Sequence, residues 1–209
     1  MGMALLLVSG MVFHELAEAV MGQEAITVLD VQVAHWFNAH AFEPLTSLMY
    51  LVSHVHSVAG MVVLFGLLAW YLWKQGARYW LLALAFAVPG GMVLNVALKF
   101  YFQRARPVFE EPLVSLATYS FPSGHTTAAT CFYGLLLSYL VIARPAWSVR
   151  VATVALCLSM VLLVAFSRVY LGAHYVSDVL AAMAESVAWL AVCITAVSTL
   201  RRRREGKTI

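Results

Sequence analysis

The chain has 209 residues, 63% of them hydrophobic and 11% charged, with a mean hydropathy of +0.85. Soluble domains carry about 25% charged residues, so this composition excludes a water-soluble globular protein and points to repeated membrane crossing. Much of the net charge of +3 lies in Arg201, Arg202, Arg203 and Arg204, a topology signal rather than a binding surface. No other extended basic surface is present, which argues against nucleic-acid binding.

Met3 to about Met21 is the first apolar stretch, with His14, Glu15 and Glu18 in its second half. It reads as a short span whose second half nears an interface. It has neither a positive n-region nor a clear small-residue cleavage site, so it is expected to be retained. From Ala25 to Phe42, Ile26, Leu29, Val33, Trp36 and Phe37 recur near helical spacing among Asp30, His35, Asn38 and His40. That pattern predicts an amphipathic helix in the membrane interface; the alternative is a loop helix packed on the bundle. Pro44 ends this helix or opens the next. His54 and His56 would share a face on a strand, where they could bind metal, but not on a helix. They read as polar residues near the headgroups.

Ser57–Trp73 (with a start up to a turn or two earlier), Tyr79–Lys99, His125–Ala143, Val151–Phe166 and about Tyr175–Leu200 complete six predicted spans. Pro89, Gly90 and Gly91 lie inside one of them, where neighbouring groups can re-satisfy a kinked backbone. A long loop, Phe100–Gly124, carries Pro107, Pro112 and Pro122. The expected fold is all-α: a polytopic membrane protein with six transmembrane helices and an interfacial amphipathic helix after the first. Residues 1–209 form one transmembrane domain in this reading, with the motif-bearing core at 79–200. Cys131, Cys157 and Cys193 lie in apolar runs and read as small core hydrophobes, neither a disulfide frame nor a metal set.

Charge sets the expected orientation. The Lys74–Arg78 loop, the loop of Arg144, Pro145 and Arg150, and the C-terminal arginines fall on one side of a six-span chain, with the N-terminus. The positive-inside rule makes that side cytoplasmic. Lys99, Arg104, Arg106 and Arg168 then lie outside, with His125, His174 and Asp178. Basic residues held there against the rule point to an anion.

Three stretches carry the chemistry. Lys99-Phe-Tyr-Phe-Gln-Arg-Ala-Arg106-Pro107 ends the third span. Lys99 offers a point charge and Arg106 a planar fork for two phosphate oxygens; headgroup anchoring is the plainer alternative. Phe121-Pro122-Ser123-Gly124-His125 opens the fourth. Ser123 fits an N-cap, Gly124 lets a ligand approach the free N–H groups of a helix start, and His125 could give a proton to a leaving oxygen. The plainer alternative is a capped turn with a bystander histidine. The third stretch, Ser167 to Asp178, reads SRVYLGAHYVSD. His174 and Asp178 are spaced i, i+4 and share a face if a helix begins near His174. A carboxylate there can hold the imidazole in one tautomer, leaving the other nitrogen as nucleophile or base; a purely structural His–Asp pair is the alternative.

Taken together, these stretches resemble the signature of the type 2 phosphatidic acid phosphatase superfamily, K-x6-R-P, then P-S-G-H, then S-R-x5-H-x3-D, matched here at Lys99 to Pro107, Pro122 to His125 and Ser167 to Asp178. The resemblance implies a six-helix phosphatase core working without metal or other cofactor. His174 would attack phosphorus and form a phosphohistidine, with Asp178 orienting and polarising it. His125 would protonate the leaving oxygen and then activate water. Lys99, Arg106 and Arg168 would bind the phosphoryl oxygens, helped by Ser123 and the Gly124 backbone. After Asp178 the chain reads Val-Leu-Ala-Ala, where many relatives resemble a Gly-containing pattern, a difference that bears on helix packing. Arg104, in the variable spacer, is read as a headgroup anchor in preference to a further phosphate contact, and Glu185 as a buried hydrogen-bonding residue.

The expectation is therefore an integral lipid phosphatase of a cytoplasmic membrane, with its site on the extracytoplasmic face and both termini inside. Its partners are the bilayer and a phosphorylated lipid: undecaprenyl pyrophosphate first, then phosphatidylglycerol phosphate or phosphatidic acid. Within the same family, a lipid phosphotransferase and a lipid A phosphatase are alternatives. Vanadium haloperoxidases resemble the constellation but are soluble. A non-catalytic lipid transporter is the rival of a different class. Nothing in the sequence sets the oligomeric state.

Overall fold

In hydrocarbon every backbone N–H and C=O has to be paired within its own segment, so long apolar runs become helices. The structure is a computed structural model that describes residues 2–143 and 146–205. Among these residues are eight helices: α1 (Gly2–Met21), α2 (Ala25–Ala39), α3 (Leu45–Val55), α4 (Val58–Lys74), α5 (Arg78–Phe102), α6 (Gly124–Ala143), α7 (Trp147–Tyr170) and α8 (Val176–Glu205). Five of them, α1, α5, α6, α7 and α8, are long and apolar enough to cross a membrane, and α3 with α4, bent by 56°, passes the same length and composition test as a pair, which gives five spans, or six if the bent pair is one span. The chain is thus a multi-pass, all-α membrane protein, with α2 following the first span. Arg144 and Pro145 of the expected second basic loop lie outside the described residues.

The second span begins earlier than the sequence pattern indicates. Helix α3 already starts at Leu45, and the chain turns at Ser57, whose Oγ accepts from the Gly60 N–H at 3.4 Å to cap α4. The polar residues Thr46, Ser53 and His56 obscured this helix in the sequence. All three are buried against the bundle, so they follow the packing of α3 rather than the bilayer.

Helix α8 is central: half of its apolar window is buried, against 17% for α1, which runs along it. Its inner face is built from Ala181, Ala182, Ala184, Ser186 and Ala191, small residues that let neighbouring backbones come close. Ala181 and Ala182, standing where a glycine pattern was expected, are both fully buried. Helix α5 meets α8 and α6 through Gly90 and Gly91: a Cβ at Gly90 would lie 2.6 Å from the Trp189 ring, and one at Gly91 would lie 2.7 Å from Cys131 Sγ. Pro89 sits within α5 without ending it. Cys131, Cys157 and Cys193 are free and buried.

The up-and-down course brings the end of α5, the start of α6, the end of α7 and the start of α8 together at one end of the bundle. The opposite end holds Tyr79, Trp80 and Arg201, which line one small cavity. All three motif stretches therefore converge, and the C-terminal arginines are at the far end.

Candidate active site

The α7–α8 turn explains the spacing of the third motif. Helix α7 ends with the Gly172 N–H on the Val169 carbonyl and the Ala173 N–H on the Arg168 carbonyl, both at 3.0 Å. This is the paired closure of a Schellman motif, which needs a left-handed residue, and Gly172 supplies it with φ +67°. The His174 N–H also reaches the Arg168 carbonyl, at 3.2 Å. Two residues later α8 begins, and Asp178 in its first turn accepts the Tyr175 N–H at 2.9 Å, the back-bonding half of a capping box. His174 is thereby fixed between two helix termini, the end of α7 closed by backbone hydrogen bonds and the start of α8 by the Asp178 carboxylate on the Tyr175 N–H.

His174 and Asp178 are 2% and 0% exposed, and His174 Nδ1 lies 3.3 Å from Asp178 Oδ2. The carboxylate is saturated. Oδ2 also accepts from Ser120 Oγ, and Oδ1 accepts from Arg104 Nη1 at 2.6 Å. A carboxylate so engaged fixes the proton on Nδ1 and leaves the Nε2 lone pair outward. Arg106 Nη1 donates toward that Nε2 at 3.3 Å. Burial pushes the His174 imidazole down from its ordinary 6.5 to about 3, against the pull of the Asp178 hydrogen bond and charge.

That shift has a sign. The unfolded chain takes up a proton at position 174 near pH 6.5, whereas the folded chain does so only near pH 3. The His174 contribution to stability is therefore complete above about pH 6.5 and is lost as pH falls to about 3. In detergent, the wild-type melting temperature is expected to fall more steeply across this window than that of His174→Gln. Parallel curves would contradict the buried neutral imidazole.

The cations surround this dyad. Arg106 is bound by the proline-rich loop, Nε to Thr118 O at 2.6 Å and Nη2 to Thr118 Oγ1 at 2.9 Å and Tyr119 O at 3.2 Å, and by the α7–α8 turn, Nη1 to Ala173 O at 2.6 Å. Lys99 Nζ donates to Tyr119 O at 2.7 Å and Ser120 O at 3.1 Å. Arg168 is 3% exposed; Nη1 donates to Ser53 Oγ, while Nε has no partner among the described residues. A buried guanidinium N–H left unpaired costs about 1–3 kcal/mol or more, which fits a donor reserved for an acceptor that comes and goes.

Ser123 occupies the position just before α6. Its N–H donates to the Asp178 carbonyl at 3.1 Å, and its Oγ accepts from Thr126 Oγ1 at 3.0 Å. Phe121, fully buried against Ala17, Val20 and Ala181, anchors the turn. Gly124 opens α6 and His125 follows it, half-buried and within Coulombic reach of Arg168, His174, His56 and Arg106. Thus Lys99, Arg106, Ser123, Gly124, His125, Arg168, His174 and Asp178 converge from three separate stretches.

Three sequence expectations change. Arg104 is not a headgroup anchor: it bridges Asp178 Oδ1 and Asp30 Oδ2, the latter at 2.8 Å, and donates to Ser177 Oγ at 2.7 Å. Its guanidinium carbon sits 4.3 Å from the Tyr175 ring centre. His56 is not at the headgroups either. It is buried, with Nδ1 2.8 Å from the Val52 carbonyl and Nε2 2.9 Å from the Tyr133 hydroxyl, whereas His54 is exposed. Among the described residues no three His, Cys, Asp or Glu side chains gather as metal ligands. Asp30, an expected polar residue of an interfacial helix, is 1% exposed, and its carboxylate holds the Ser177 N–H at 3.0 Å and the Ser177 hydroxyl.

Several supporting residues escaped the sequence reading. Ser53, Asp30, Ser120 and Ser177 all touch a motif residue or its first neighbour. A buried acid in an otherwise amphipathic helix was the only available signal, at Asp30; the serines carry none.

Residues 78–202 match the family model of the PAP2 superfamily. The chain is 43% identical to phosphatidylglycerophosphatase B of Bacillus subtilis (strain 168) over 89 residues, 42% of this chain and 43% of that protein. It is 37% identical to lipid phosphate phosphatase delta of Arabidopsis thaliana over 79 residues, 37% of this chain and 19% of that protein. The chain thus spans less than half the length of these two curated relatives. Its fold is similar to the crystal structure of a transmembrane PAP2-type phosphatidylglycerolphosphate phosphatase from Bacillus subtilis, with a TM-score of 0.77, 25% identity and coverage of 95% of this chain and 96% of that one. Aquifex aeolicus LpxE shares the fold at a TM-score of 0.62 and 22% identity, covering 80% of this chain and 95% of that one.

Proposed function

Because the chain belongs to the PAP2 superfamily, we propose that it is a membrane lipid phosphatase and that it hydrolyses phosphatidylglycerol phosphate through a phosphohistidine at His174. The observation that carries this reading is the Nε2 lone pair of His174, held outward by buried Asp178 and faced by Arg106 at 3.3 Å. Likeness in sequence and in fold to Bacillus subtilis phosphatases named for phosphatidylglycerol phosphate supports that lipid ahead of undecaprenyl pyrophosphate. Phosphatidic acid and lipid A follow.

In the first step the Nε2 lone pair forms the N–P bond while the P–O bond to the lipid breaks. A protonated His125 gives its proton to the departing oxygen. In the second step His125 takes a proton from water, whose oxygen attacks phosphorus, and the N–P bond breaks to release inorganic phosphate. Arg106 exchanges its bond to Nε2 for a phosphoryl oxygen. The unused Arg168 Nε–H, the third Lys99 N–H and the Ser123–Gly124 turn take the other oxygens. Phosphoryl transfer needs this kind of positioning and fixed positive charge, because negative charge spreads over the equatorial oxygens. Three cations supply that charge without a metal.

The lipid reaches this site from the bilayer. We place the protein in a bacterial-type cytoplasmic membrane with the site on the extracytoplasmic face and both termini in the cytoplasm, the orientation that the basic ends of the helices favour.

The test is phosphate release by purified protein in detergent with EDTA present. Phosphatidylglycerol phosphate, undecaprenyl pyrophosphate, phosphatidic acid and lipid A are offered in parallel. Fastest release from phosphatidylglycerol phosphate, unchanged by EDTA, is expected. Preference for another lipid would overturn the substrate assignment, and loss of activity in EDTA would overturn the metal-free chemistry. Appearance of a newly phosphorylated lipid in place of free phosphate would make the enzyme a phosphotransferase.

A further inference from the structure

Below the dyad, at membrane depth, lies a polar cluster that the phosphatase chemistry does not use. Glu185 stands two turns along α8 from Asp178 and is 4% exposed; Asn95, on α5, is 1% exposed. Asn95 Nδ2 lies 3.5 Å from Glu185 Oε2, 3.0 Å from Thr127 Oγ1 and 3.4 Å from the Pro122 carbonyl. Two acceptor oxygens of this cluster, Glu185 Oε1 and Asn95 Oδ1, have no donor among the described residues. Asn95 Oδ1 also lies against the start of α6, 3.4 Å from where a Cβ on Gly124 would stand. The asparagine therefore touches the turn from both sides, at Pro122 and at Gly124.

No basic side chain is ion-paired with Glu185 among the described residues. Lys99, one turn along α5 from Asn95, is engaged by the Tyr119 and Ser120 carbonyls. An ionised carboxylate here would be a buried charge without a cation, at a cost of several kcal/mol. Two acceptors lacking donors on either side of one hydrogen bond mark a missing proton. A proton on Glu185 removes the charge and turns an acceptor into a donor.

We propose that Glu185 carries its proton in the working enzyme and acts as a positioning residue, holding Asn95 so that Asn95 fixes the Pro122–Gly124 turn. The part concerning phosphate rests on the reading that this turn binds phosphoryl oxygens. Of the other acidic side chains described, Asp30 and Asp178 are paired with Arg104, and Glu15, Glu18, Glu24, Glu43, Glu110 and Glu111 are exposed. Glu185 is thus the source expected for any protonated carboxyl at about pH 6.5, above the ordinary carboxylate range.

The experiment is infrared spectroscopy of the wild-type protein in lipid at about pH 6.5, compared with Glu185→Gln, alongside steady-state kinetics. A neutral-carboxyl C=O band is expected in the wild type and absent from Glu185→Gln. The absence of that band in the wild type overturns the proposal without any variant having to fold, as does its persistence in Glu185→Gln. Glu185→Gln, which keeps the shape and an N–H donor, is expected to retain kcat and KM within about twofold. Glu185→Ala and Asn95→Ala are expected to raise KM and weaken inhibition by inorganic phosphate at least about tenfold, equivalent to about 1.4 kcal/mol. Equal losses in Glu185→Gln and Glu185→Ala would mean that the charge, not the proton, is needed. The infrared result stands apart from the activity, so a failure of the phosphohistidine reading would leave it intact.

Discussion

Replacing His174 with alanine is expected to abolish phosphate release by at least about 10³-fold in kcat while leaving the protein folded in detergent. The alanine removes the imidazole that Asp178 holds at Nδ1 and Arg106 faces at Nε2. It leaves the turn in place, because the Schellman closure and the Tyr175 N–H to Asp178 bond use no His174 side-chain atom. Binding of inorganic phosphate is expected to survive, since Lys99, Arg106 and Arg168 remain. The complementary variant is His125→Ala. Loss of general acid–base help slows the reaction about 10²–10⁴-fold. It also leaves the N–P bond without a base to activate water. Acid-labile, alkali-stable phosphate is therefore expected to accumulate on the protein in His125→Ala and never in His174→Ala. Release from His174→Ala within tenfold of wild type would remove His174 from the nucleophile's role.

The sequence conveyed the chemistry-bearing residues better than it conveyed what holds them. Lys99, Arg106, His125, Arg168, His174 and Asp178 lie at fixed offsets inside three short stretches, and helical termini at those offsets leave them little choice of position. The Gly172 turn is an example: one left-handed residue between two helices dictates where His174 stands. The spans were legible for the same reason, since hydrocarbon imposes length and composition. Partners that meet across the fold left no such trace. Ser53 reaches Arg168 across 115 positions, and Asp30 reaches Ser177 across 147. Neither contact has a periodicity to betray it. Helix α3 was hidden because polar residues stand on both its faces, Thr46 and Ser53 toward the bundle and Ser47 and His54 away from it, and Arg104 was misread because an arginine after a span ordinarily seeks headgroups.

That misreading leads to the second large effect. Replacing Arg104 with methionine is expected to destabilise the protein by about 3–5 kcal/mol, the cost of stripping one partner from a buried ion pair. The guanidinium is 12% exposed and lies between Asp30 at 1% and Asp178 at 0%. Methionine fills similar space but leaves two buried carboxylates facing each other without a cation. An exposed headgroup anchor would cost less than about 1 kcal/mol on the same substitution, so the two readings are well separated. Activity is expected to fall with stability, because Asp178 would lose the partner on Oδ1 and its hold on His174 would change. Adding Asp30→Asn to Arg104→Met removes one of the two stranded charges and is expected to recover part of the lost stability, whereas Asp30→Asn alone is expected to destabilise. Unfolding measurements on the four proteins in one detergent give the coupling energy directly. Strict additivity would show that Asp30 and Arg104 do not act together. A coupling of more than about 1 kcal/mol would tie α2, the helix after the first span, to the carboxylate that orients His174.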